Sequence, residues 1–95
     1  MQAVAMSKQY RDWKADVDAI RRILNSEWDP IGCGAAEDEY DGYIPVIYRM
    51  MQARAGVEEL ACHLEKLETE NMGLRAHMDR NRRVAQMLLD LMDRA

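Results

Sequence analysis

The chain has 95 residues, of which 48% are hydrophobic and 32% charged, with a formal net charge of −4. That length makes one domain, expected to span 1–95 with 1–6 as a flexible lead, and a chain of this size buries roughly 60–65% of its unfolded surface without staples. A net acidic chain of this kind is not expected to bind nucleic acid, and no apolar run approaches the ~18 residues a membrane span needs.

The first predicted helix runs from about Ser7 to Ser26, with Ser7 as its N-cap. Tyr10, Trp13, Val17, Ile20 and Leu24 recur at spacings of three and four, and Ile23 widens the stripe. Trp13 is read as a core residue of that stripe. Residues 29–37 form an unusual loop: Pro30 disfavours helix at Asp29, and Gly32 and Gly34 permit positive φ. Trp28 closes the first helix. Its large ring is read as a plug for the bundle; an exposed binding anchor is the alternative.

The second helix begins between Asp38 and Tyr43, with Asp38 or Asp41 as cap, and Pro45 is tolerated only if it falls in the first turn. Ile44, Ile47, Tyr48 and Met51 form its apolar stripe, Tyr40 leads in, and Gly56 allows the turn after Ala55. The third helix covers about Val57–Asn71, with Val57, Leu60, Ala61, Leu64 and Leu67 on one face and Gly73 past its end. The fourth covers about Arg80–Met92, with Asp79 as N-cap and Val84, Met87, Leu88 and Leu91 apolar. No segment alternates as a strand would. The expected fold is all-α: a small antiparallel bundle of about four helices, with an ordered Trp/Pro/Gly loop between the first two.

Charge is unevenly placed. No Lys or Arg occurs between Arg22 and Arg49, where Glu27, Asp29, Glu37, Asp38, Glu39 and Asp41 fall. Arg75, Arg80, Arg82 and Arg83 then cluster near the C-terminus. The two regions can pair within the fold or between subunits.

Three islands carry a resemblance: Glu27-Trp28-Asp29-Pro30-Ile31-Gly32 after Ile23-Leu24, Asp38-Glu39-Tyr40-Asp41 with Tyr43-Ile44, and Leu67-Glu68-Thr69-Glu70-Asn71-Met72-Gly73-Leu74. Together they resemble a family of small bacterial all-helical proteins of unassigned function, over roughly residues 17 to 91. The resemblance implies a fold and a cytoplasmic location. It implies no reaction.

Glu68 breaks a pattern. It falls one turn after Leu64, close to the apolar centre of the third helix, and a buried carboxylate without partners is costly. Its expected partners are backbone N–H groups of the Trp28–Gly34 loop, or an arginine. A functional acid of raised pKa is the alternative. The acids at 37–41 lack the spacing of a calcium loop and suit the start of a helix, where negative charge complements the dipole. Cys33, Cys62, His63 and His77 lack the short ligand spacing of a zinc site. No metal or cofactor is therefore expected. The first residues, Met1 to Met6, lack the basic start and long apolar stretch of a signal peptide, so a reducing cytoplasm with free thiols is expected.

The functional expectation is a non-enzymatic protein-interaction module that presents the 28–45 segment to a protein partner, in the manner of a small acidic immunity or antitoxin protein. Self-association as a two-fold dimer is expected as well. The candidate interaction or structural residues are Trp28, Asp29, Glu39, Tyr40, Asp41, Tyr43 and Glu68. The alternative is a small enzyme or ligand-binding protein with a pocket formed by the 28–34 loop, Glu68 and the basic 75–83 connector.

Overall fold

The computed structural model describes residues 13–32 and 36–93. The proposed Ser7 cap, Tyr10, Cys33 and Gly34 lie outside the described residues. Among those described there are four helical segments and no strand. Helix α1 comprises Trp13–Ile23 and continues through a π-helical turn, Leu24–Trp28. Helix α2 opens with a 3₁₀ turn, Asp41–Tyr43, and runs as Ile44–Gln52. Helix α3 comprises Val57–Lys66 and also ends in a π-helical turn, Leu67–Asn71. Helix α4 is Met78–Asp93.

The apolar stripes explain the packing. Ile20, Leu24 and Trp28 are buried from α1; Ile44, Ile47 and Met51 from α2; Leu60, Ala61, Leu64 and Leu67 from α3; Val84, Ala85 and Leu88 from α4. Together with Tyr40 they form one core. Removing such surface from water contributes about 25 cal/mol per Å² of apolar area. The most extensive helix–helix contact is between α3 and α4. Pro45 sits in the first turn of the α-helical part of α2, where its missing N–H has no intrahelical partner to lose.

Two boundaries differ from the sequence reading. The turn after α2 is made by Arg54, which takes the left-handed conformation at φ 60°; Gly56 is extended at φ −73° and sits at the N-cap of α3. Helix α4 starts at Met78, so Asp79 lies inside its first turn rather than capping it. One core assignment also fails. Trp13 is 54% exposed, with the Lys14 ammonium 6.0 Å from its ring centroid. Its register with Val17 and Ile20 is helical, yet more than half of it faces solvent.

The two π turns are built alike. In each, a backbone N–H reaches five residues back: Asp29 N to Leu24 O at 2.8 Å, and Met72 N to Leu67 O at 3.1 Å. In each, a hydroxyl at the middle position donates to the carbonyl four residues earlier: Ser26 Oγ to Arg22 O at 2.6 Å, and Thr69 Oγ1 to Glu65 O at 3.0 Å. Side-chain donors of this kind compete with the α-helical ladder and bend it. The chain then reverses through a left-handed residue, Asp29 at φ 36° and Gly73 at φ 69°. Both π turns lie at the end of the bundle where α2 and α4 begin, so residues 29–32, residues 36–40 and the 72–77 connector lie at the same end.

Candidate functional site

Polar groups converge beneath those two loops. Glu68, in the α3 π turn, is fully buried. Its Oε2 accepts from Arg80 Nη2 at 2.7 Å, and its Oε1 accepts from Asn81 Nδ2 at 2.7 Å and from the His77 backbone N–H at 3.3 Å. Its own carbonyl accepts from Leu74 N at 2.7 Å. Asn81 is also fully buried, and its Oδ1 accepts from Trp28 Nε1 at 2.9 Å. The Asn81 amide has only one workable orientation. The indole N–H only donates and the carboxylate only accepts, so Oδ1 must face Trp28 and Nδ2 must face Glu68.

A second set of bonds holds the 29–40 loop. Trp28 and Tyr40 meet edge to face, with ring centroids 5.3 Å apart. The Tyr40 hydroxyl donates to Asp29 Oδ1 at 2.8 Å and accepts from Ile31 N at 3.0 Å. Asp29 Oδ1 also accepts from Gly32 N at 3.2 Å. Asn25 Nδ2 donates to Glu37 O at 2.6 Å from the side of α1. The Ile31 and Gly32 amides thus find acceptors of their own. Burial pushes the Tyr40 hydroxyl up to about 12; the Ile31 N–H opposes that rise, and the Asp29 and Glu39 carboxylates add to it.

Of the two expected partners of Glu68, the geometry shows the arginine. Among the described residues of the 28–34 loop none gives its backbone N–H to this carboxylate, which takes Arg80 and is linked to Trp28 through the Asn81 side chain. The reason is position. The α3 π turn aims Glu68 at the start of α4, where the His77 amide, Arg80 and Asn81 present three donors to one carboxylate. The loop, for its part, is supplied locally by Asp29 and Tyr40.

The other candidates separate into two groups. Trp28 and Tyr40 are buried, so the plug reading of Trp28 holds. Asp41 receives two bonds from Arg21, Nε to Oδ1 at 2.9 Å and Nη2 to Oδ2 at 3.1 Å, which fixes the start of α2 against α1. Tyr43 is half-buried against the core. Glu39 is exposed, as are Glu37 and Asp38. Ile31 at 45% and Leu74 at 37% are the large apolar side chains left exposed in the two loops of this end.

One ion pair joins the acidic and basic regions within the chain, and a second ties the basic region to α3. Arg83 Nη1 lies 2.8 Å from Glu27 Oε1, joining α4 to the α1 π turn, and Arg82 Nε lies 2.9 Å from Glu58 Oε2. Among the described residues no three His, Cys, Asp or Glu side chains gather as metal ligands. Cys62 is an exposed free thiol. His63 beside it is half-buried, with Nε2 shielded and unpartnered, and burial followed by the charge of Lys66 holds its imidazole below the usual 6.5. An open cleft of about 420 Å³ lies between α1 and α4, bordered by Arg22, Ile23, Glu27, Met87 and Asp90. Glu68 does not line it.

Asn81 was not legible as a site residue from the sequence alone, although a signal existed. It lies three and seven residues before Val84 and Leu88, on the apolar stripe of α4, as Glu68 does on α3. Two polar residues on facing stripes of adjacent helices are the pattern of a buried hydrogen-bonded pair.

No protein-family model, curated protein or solved structure matches the chain. No helix among the described residues is long and apolar enough to cross a membrane.

Proposed function

We propose that the protein is a non-enzymatic interaction module whose contact surface is the loop end of the bundle. The observation that carries this reading is the division of labour there. Trp28, Tyr40, Glu68 and Asn81 are buried and bonded to one another or to their neighbours, while Ile31, Leu74, Glu37, Asp38 and Glu39 face solvent. The buried set fixes two loops. The exposed set offers two large apolar side chains and several carboxylates, a composition that supports a small protein-binding surface. Both Glu68 oxygens are already occupied by structural donors, which supports a structural carboxylate over a catalytic acid.

The partner is a protein, and a second copy of this chain is one form it can take. The test places a photo-crosslinking residue at Ile31 or Leu74, and at exposed Gln52 on α2 as the control. Crosslinking in the native host to one protein from the loop end, and not from position 52, is the expected result. Equal crosslinking from all three positions, or none from any, overturns the reading. Light scattering at high micromolar concentration decides whether that protein is the chain itself.

A further inference from the structure

Asn81 is the point where two otherwise separate loop anchors meet. On one side, the 29–40 loop is tied to Tyr40, and Tyr40 packs on the Trp28 ring. On the other, the 72–77 connector is tied to Glu68 through the Leu74 and His77 amides. A single fully buried amide joins them, accepting from Trp28 Nε1 at 2.9 Å and donating to Glu68 Oε1 at 2.7 Å. The two bonds stand or fall together in orientation. A rotated amide would point N–H at N–H on the Trp28 side and oxygen at carboxylate on the Glu68 side.

The surroundings leave this amide few substitutes. The Met78 sulfur, 3.8 Å from Nδ2, is a weak acceptor, and both Asn81 and Glu68 are sealed from solvent. If Trp28 withdraws, Asn81 Oδ1 is left buried and unpaired, and the amide gains by turning toward water. Turning takes Nδ2 from Glu68. The carboxylate then keeps Arg80 and the longer His77 bond alone.

We propose that Asn81 couples the two sides, so that displacement of residues 29–32 and Tyr40 loosens the 72–77 connector and displacement of the connector loosens them. The π turns at both ends of the relay suit this role, since single π turns in otherwise α-helical segments are frequent at functional sites. The coupling must be reciprocal, because it is a free energy shared by two sites. It is a property of the free chain and stands apart from the identity of any partner.

The test is native-state amide exchange on Trp28→Phe, which removes the indole donor and keeps an aromatic ring on Tyr40. The Leu74 amide, bonded to Glu68 O, should exchange on the order of tenfold faster relative to the core amides of Leu60 and Leu64. Ile47→Val, which trims the core elsewhere, should leave that ratio unchanged. Acceleration confined to residues 29–40, or equal acceleration of every amide, overturns the coupling. Glu68→Gln supplies the reverse reading in a folded chain. It should move the Trp28 indole N–H resonance well beyond any movement of exposed Trp13, and an unmoved Trp28 resonance overturns the proposal independently.

Discussion

The Trp28 indole N–H lies 2.9 Å from Asn81 Oδ1, across 53 residues of chain and between two side chains that are both sealed from water. This bond fixes the depth at which the end of α1 sits against α4. A buried indole that found no acceptor would pay for its desolvation. A buried asparagine needs partners at both ends of its amide, and it has them in Trp28 and Glu68.

Trp28→Phe isolates that bond. It keeps most of the apolar area and removes the donor, leaving Asn81 Oδ1 buried without a partner. We expect a loss of roughly 1–3 kcal/mol in urea melts. Trp28→Ala should cost more, about 3–5 kcal/mol, because it adds a cavity beside Tyr40. Equal stability of wild type and the Phe variant would show that the bond contributes nothing.

Glu68 is distinguished by two substitutions. Glu68→Ala removes the acceptor of Arg80, Asn81 and His77 together and should cost about 3–5 kcal/mol, the range for breaking a buried charge pair. Glu68→Gln keeps the shape and one acceptor oxygen, and should retain part of that stability. Chemical denaturation at neutral pH gives the ranking. A Gln variant as weak as Ala would mean that charge, not hydrogen-bond geometry, holds the π turn to α4.

The four helices were legible because their burial follows the sequence stripe almost residue for residue. Ile20 and Leu24, Ile44 and Ile47, Leu60 and Leu64, and Val84 and Leu88 all lie where helical spacing puts them. Glu68 was legible as an anomaly for the same reason. Its partners were not. A stripe says which face is buried but not which helix lies opposite, and Asn81 becomes meaningful only once α3 and α4 are adjacent. Trp13 shows the limit from the other side. Periodicity extends to it, but helical spacing alone does not bury a side chain. The π turns were hidden too, although Ser26 and Thr69 mark both of them with the same back-bonded hydroxyl.

His63 should titrate with a midpoint below 6.5, read from its ring resonances by NMR. Burial disfavours the imidazolium first, and Lys66 adds to it. The depressed value fixes the sign. The unfolded chain takes up a proton near pH 6.5 that the folded chain refuses, so stability is intact above that pH and falls as acid is added below it. In His63→Gln that part of the acid limb should disappear. A midpoint at or above 6.5 would mean that Nε2, shielded in this structure, reaches water or a partner in solution.

Tyr40 should give the chain a weakness in alkali. Its hydroxyl is pushed up to about 12, chiefly because the ionised form would be buried, with the Asp29 carboxylate beside it adding repulsion. The folded chain therefore holds this proton more tightly than the unfolded chain, where a tyrosine loses it near pH 10. Stability from this source is fully present below about pH 10 and is lost as pH rises through about 12, by up to about 3 kcal/mol. Ionisation also removes the donor to Asp29 Oδ1, so the loop around Ile31 and Gly32 should loosen in the same window. The control is Tyr40→Phe. It should be less stable at neutral pH, because Ile31 N loses its acceptor, by roughly 1–2 kcal/mol. Between pH 10 and 12 its stability should fall less steeply than that of wild type. Urea midpoints across this range decide the matter, and parallel curves for the two proteins would show that the Tyr40 hydroxyl ionises without consequence for the fold.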